Sequence, residues 1–235
     1  MKRIALAIGL VATLAACASR DAPTDTAGPE KKGAVAQVGA VLGRAFASTS
    51  DSKDGLRAIE GGGLCGDPVL KGVVVGRVPG RIAGCGIENA VRLDQVGQIS
   101  LSQGATINCA TAKAFKTWIE TGAMPAFGDR GGGLAGLKVA ASYACRTRNH
   151  RRGAKISEHG KGNAIDISAF FLLDGTEIPL LGNWNSGTNG QAMKKMHAAA
   201  CGPFKTVLGP DSDRWHQDHF HFDVAQHRGG GTYCR

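Results

Sequence analysis

The chain has 235 residues, 43% of them hydrophobic, enough to bury one good core or two small ones. Thirty-five glycines beside only 6% aromatic residues argue for many turns and against a helical bundle. Lys and Arg outnumber Asp and Glu by 28 to 19, and the resulting +9 suits nucleic acid, anionic lipid or an acidic wall polymer.

In chain order, Lys2 and Arg3 precede an apolar run, Ile4 to Ala15, that is too short to stay as a spanning helix. Leu14-Ala15-Ala16-Cys17 then resembles a bacterial lipobox, which implies cleavage before Cys17 and lipidation of its thiol. The alternative is an ordinary signal peptide cut near the Ala pair. Loss of residues 1–16 removes Lys2 and Arg3 and lowers +9 to +7. Ala18, in place of an Asp, resembles cargo sent on to the outer membrane. Residues 17–62 form a polar linker in which Asp21 to Lys32 has no large apolar residue, and Val35 to Phe46 could form a short helix. As a coil, the linker spans on the order of 35 Å.

The folded domain is expected over 63–235. Val69 to Val78 and Val91 to Ser100 carry β-branched runs and read as extended. Ala110 to Thr121 places Ala114, Phe115, Trp118 and Ile119 on one helical face. A strand over Leu137 to Arg146 follows the Gly131–Gly133 turn, and Asn163 to Leu172 and Glu177 to Leu181 flank an Asp174-Gly175 hairpin turn. Gln191 to Ala200 reads as a helix with Lys194 and Lys195 exposed, and His219 to Ala225 as the last strand. This predicts an α+β domain with a small antiparallel sheet flanked by helices.

With Cys17 set aside, Cys65, Cys85, Cys109, Cys145, Cys201 and Cys234 make an even six, suited to three disulfides in an oxidising compartment. No Cys-x-x-Cys pair points to a cysteine metal site. Pairing sequence neighbours gives 65–85, 109–145 and 201–234, each closing a loop of roughly 20–40 residues worth about 3–4 kcal/mol.

Two stretches carry the chemistry. Ser157-Glu158-His159-Gly160-Lys161-Gly162-Asn163-Ala164-Ile165-Asp166 sets a His and an Asp seven apart. His219-Phe220-His221 sets two imidazoles on one face of a strand. Two imidazoles and a carboxylate fill three corners of a zinc tetrahedron and leave the fourth for water. The pattern of Ser157, His159, Gly162, Ala164 and Asp166 resembles the signature of the LAS metallopeptidases. That group includes D-Ala-D-Ala carboxypeptidases, the penicillin-insensitive murein endopeptidase and the hedgehog signalling domain. From about residue 64 on, Ser142 to Asn149, Ser157 to Phe170, Ala200 to Phe204, Val207 to Pro210 and Tyr233-Cys234 resemble the bacterial extensin-like C-terminal family.

The resemblance implies a disulfide-stabilised LAS/hedgehog-like zinc peptidase fold with His159, Asp166 and His221 on the metal. It implies that His219 takes the proton of the attacking water and passes it to the leaving amine, although the reverse assignment of His219 and His221 stays open. Arg146 falls where the group has an arginine on the substrate carbonyl or carboxylate, with Arg148 as its competitor. Asp218, three before His221, is a weaker candidate for the base. Ser157 orients a turn, His216 beside Trp215 could line the substrate groove, and His150, His197 and His227 are expected on the surface. The expected function is periplasmic zinc-dependent hydrolysis of peptide bonds in peptidoglycan. The chain would be tethered to the outer membrane through acylated Cys17 and would have no nucleic-acid partner. The alternative is a lipid-tethered, zinc-containing wall-binding or scaffold protein without turnover.

Overall fold

A computed structural model describes residues 62–235. The signal segment, Cys17 and the linker lie outside those residues. The first strand, β1 (Leu70–Pro79), hairpins with β2 (Gly86–Val96), which hairpins with β3 (Ile99–Asn108). Helix α1 (Cys109–Trp118), a π-type turn (Ile119–Ala123) and the short α2 (Met124–Phe127) cross over to β4 (Leu134–Ala141). The hairpin β5 (Ala164–Leu172) and β6 (Glu177–Pro179) comes next, then α3 (Gly187–Ala200). Three short strands finish the chain: β7 (Thr206–Leu208), β8 (Phe220–Asp223) and β9 (Tyr233–Cys234).

All nine strands join one sheet in the order β1-β2-β3-β4-β5-β8-β7-β9, with β6 on the far half of β5. The α+β class holds, but the small antiparallel sheet does not: β3–β4 and β7–β9 are parallel pairs. A parallel neighbour needs a long crossover, and residues 109–133 supply it. Other expectations need correction too. The segment 91–100 is not one strand, because Gly97 (φ 57°) turns the chain between β2 and β3. β4 stops at Ala141, well short of Arg146, and β9 follows β8 through a separate pairing with β7.

β8 shows how alternation builds the molecule. Phe220 and Phe222 are fully buried, with Phe222 against Trp118 and Phe204 at centroid distances of 4.8 and 5.0 Å. Each such side chain contributes about 2–3 kcal/mol. Trp118 also donates its indole N–H to the Met196 carbonyl at 2.9 Å, locking α1 to α3. His221 takes the opposite face of the strand, with Asp166 across from it on β5.

The cysteines pair as Cys65–Cys109, Cys85–Cys145 and Cys201–Cys234, with Cα separations of 5.5, 5.5 and 6.2 Å. Only 201–234 follows sequence order. The sheet decides the other two: Cys109 opens α1 beside the segment leading into β1, and Cys145 follows β4 beside the β1–β2 turn. The loops span 44, 60 and 33 residues and stabilise by about 4 kcal/mol each on the loop-entropy model.

One glycine fixes the turn that leads into β5. Gly162 is left-handed (φ 68°), and a Cβ there would meet Ile87 Cδ1 and the Asn108 backbone nitrogen. Its carbonyl accepts from Asn108 N (2.9 Å) and Thr111 Oγ1 (2.9 Å), while Asn108 caps α1 through Thr111 N. Gly162→Ala is therefore expected to destabilise by about 2–4 kcal/mol, from the left-handed backbone and the overpacking together. Urea unfolding checks this, and a loss under about 0.5 kcal/mol would contradict the packing argument.

Candidate metal centre

His159 sits in a single helical turn, Glu158–Lys161, between the loop after β4 and the start of β5. Its Nδ1 donates to the Ser142 carbonyl at 2.7 Å, so in the neutral ring the Nε2 lone pair is free and faces inward. Asp166 on β5 lies directly opposite His221 on β8 in the strand register. The Asp166 carboxylate stands 3.1 Å from His159 Nε2 and 2.8 Å from His221 Nδ1, and the two imidazole nitrogens are 3.1 Å apart. His221 turns its other nitrogen to Asp223 at 3.3 Å. His159 and Asp166 are buried, and the His221 side chain is 12% exposed.

These contacts test whether a metal suits the residues. With Nδ1 of His159 committed to Ser142 and Nε2 of His221 to Asp223, two imidazole lone pairs and a carboxylate converge on one point. Three acceptors meeting there need a cation, either a proton or a metal. The outer hydrogen bonds are those that orient metal-bound histidines and strengthen them as donors. An N₂O donor set suits zinc better than calcium or magnesium, which prefer all-oxygen shells. Among the described residues, His159, Asp166 and His221 are the only group of this kind.

The electrostatics agree. Burial raises the Asp166 pKa, but hydrogen bonds from His159 and His221 outweigh it and hold the carboxyl well below the usual range. Burial disfavours a charged His221, but its bonds to Asp166 and Asp223 prevail and push it up to about 9. Without metal, then, His221 takes the proton. Its contribution to stability is complete below about pH 6.5 and is lost as pH rises through about 9, a change of at most roughly 3 kcal/mol. Chelator-treated protein should therefore melt at progressively lower temperature across that window. His221→Gln should flatten the profile, and an unchanged profile would rule out the charged ring.

The rim is made of further histidines. His219 Nε2 lies 3.7 Å from Asp166, and its Nδ1 is bound to Asp218 at 2.8 Å. His216 is only 14% exposed, bound to Asp213 at 2.7 Å, with ring centroids 5.2 Å from His219 and 5.6 Å from His221. Burial, with the neighbouring His221 and His219, lowers the His216 pKa against the pull of Asp213. His216 thus belongs to the centre and is not a solvated loop residue. Asp213 and Asp223, which sequence reasoning passed over, each anchor one of these rings.

Residues 71–235 match the family described as the extensin-like protein C-terminus. The chain belongs to that family. No curated protein and no solved structure matches it. The chemistry of this extensin-like domain must therefore be read from its own residues.

The arginines depart from expectation. Arg146 reaches only the Thr147 carbonyl at 3.5 Å, and Arg148 pairs with the buried Glu158 at 3.5 Å. Neither is joined to His159, Asp166 or His221 by a hydrogen bond or ion pair. Lys161 and Asn163 complete the partners of Glu158, at 3.1 and 2.8 Å. Asn163 in turn accepts from Asn108 at 2.6 Å, so the histidine turn is tied to the start of α1. Ser157 opens the turn through its backbone and gives no side-chain cap. His150 is exposed as expected, and His227 is exposed while touching Lys205 O and Thr206. His197 is half-buried: it packs on Trp184 and Phe220 and reaches the Arg235 carbonyl at 2.9 Å.

Proposed function

We propose that this extensin-like domain is a zinc-dependent peptidase that hydrolyses peptide bonds in peptidoglycan, on a fold related to the LAS metallopeptidases. The observation that carries this reading is the convergence of His159, Asp166 and His221 with their outward nitrogens already committed to Ser142 and Asp223. Zinc held there would supply Lewis acidity, polarising a carbonyl and acidifying a water molecule. His219, oriented by Asp218, is placed to take a proton and return it to the leaving amine. His216, whose pKa burial lowers, forms the adjoining wall.

A second reading, a zinc-containing wall-binding protein without turnover, draws on the arginines: neither Arg146 nor Arg148 is aimed at the centre. Mass spectrometry of purified muropeptides after incubation with the zinc-loaded protein separates the two. New peptide termini that disappear with chelator are expected. Intact muropeptides beside a full complement of zinc would select the second reading.

The proposed site of action is the periplasmic face of the outer membrane, reached through acylated Cys17, on the strength of the Leu14–Cys17 box. Cys17→Ser should move the protein from the membrane fraction to the soluble fraction, and unchanged detergent partitioning would end the tether proposal alone.

A further inference from the structure

The loop between β4 and the histidine turn carries a feature that metal chemistry does not use. Arg146, Arg148, Arg151, Arg152 and Lys155 fall within ten residues, with His150 among them and no acid. The segment is a built hairpin. Thr147 bridges Ile156, Arg148 N donates to Lys155 O at 2.9 Å, and Ser157 N donates to Arg146 O at 2.9 Å. Its tip closes through Arg151 N to Arg148 O (3.1 Å) around Asn149 and His150, both left-handed at φ 52° and 55°. Positive φ is uncommon outside glycine, and Asn and His are among the side chains that tolerate it best. Thr147 Oγ1 also donates to the Arg151 carbonyl at 2.8 Å.

Compensation is absent where it would be expected. Glu158, 6% exposed, takes Arg148 and Lys161. Arg151, Arg152 and Lys155 are exposed and make no ion pair among the described residues. Like charges packed on one short hairpin repel one another, and an external polyanion relieves that repulsion. The hairpin is also tied to the metal centre. Cys145 is bonded to Cys85, Ile156 lies against Gly84 and Gly160, and two residues, Ser157 and Glu158, separate Ile156 from His159.

We propose that the 146–156 hairpin is a docking surface for the carboxylates of an extended wall polymer. Resting on the peptidase reading above, it would hold such a chain beside the metal centre. The exposed tip from Arg148 to Gly153 has no apolar side chain to enter a bilayer, which disfavours lipid, and nucleic acid is set against the wall polymer in the test below.

The test is co-sedimentation of the full chain with purified insoluble sacculi. Combining Arg151→Gln, Arg152→Gln and Lys155→Gln should weaken retention on the order of tenfold at low salt, with the difference fading as salt screens it. Blocking the sacculus carboxyls as amides should weaken the unaltered protein to a similar degree. Equal retention of the triple variant, or equal retention on amidated sacculi, overturns the proposal. So does stronger binding to phosphatidylglycerol vesicles or duplex DNA at the same salt. Muropeptide release is scored separately. Hairpin-dependent sedimentation without bond cleavage supports docking and removes only the peptidase; cleavage with hairpin-independent sedimentation does the reverse.

Discussion

His159→Ala and Asp166→Ala are each expected to purify with less than about a tenth of the zinc carried by the unaltered protein, which should hold about one ion per domain. The effect is large because each change removes one of three protein donors and leaves the others poorly compensated. Without Asp166 there is no anion between two inward-facing imidazoles; without His159 the buried carboxylate keeps only His221 at 2.8 Å and the more distant His219. Proteolytic turnover should fall to background in both. Elemental analysis decides the point, and an unaltered protein that emerges metal-free from zinc-containing buffer would count against the entire reading.

Separation of metal binding from turnover is expected within the His-x-His pair. His221→Ala should lose zinc and activity together, since its Nδ1 stands 2.8 Å from Asp166 and opposite it in the strand register. His219→Ala should keep zinc yet lose about 10²–10⁴-fold in turnover, the usual cost of a missing proton carrier. Its 3.7 Å separation from Asp166 and its bond to Asp218 place it beside the donor set, not within it. Zinc content measured beside kcat in the two variants settles the division. Metal-free His219→Ala with metal-bound His221→Ala would swap the roles. If both keep zinc and full activity, the centre lies elsewhere. His216→Ala is the useful companion: a loss equal to that of His219→Ala would show that the neighbouring rings share the proton.

The clustering of His159, Asp166 and His221 was legible because it is written locally. The seven-residue step from His159 to Asp166 crosses one turn, and the two-residue step from His219 to His221 follows strand alternation. What surrounds it depends on tertiary register. Ser142, which orients His159, contributes a carbonyl, and a backbone atom leaves no trace in residue identity. Asp223 looks like any strand-end acid until β8 carries it beside His221. Arg146 was expected at the end of a strand with Arg148 as its competitor, but β4 ends at Ala141 and the chain turns into the hairpin, where Glu158 claims Arg148. Two of the three disulfides depart from sequence order for the same reason, since proximity along the chain is not proximity across a nine-stranded sheet. Gly97 falls within the segment 91–100 expected as one extended run, yet it is the turn between two strands.

The insertion of β8 between β5 and β7 sets an order of events for a chain made from its N-terminus. Strands β1 to β5 neighbour one another in sequence order and can pair as they emerge. The Asp166 half of β5 then keeps a bare edge until residues 220–223 arrive, because β6 covers only Ala169 to Phe171. His221 cannot join His159 and Asp166 before that late strand docks, so the three-residue cluster is completed only near the end of folding. During this interval an unpaired strand edge is open to any other extended chain.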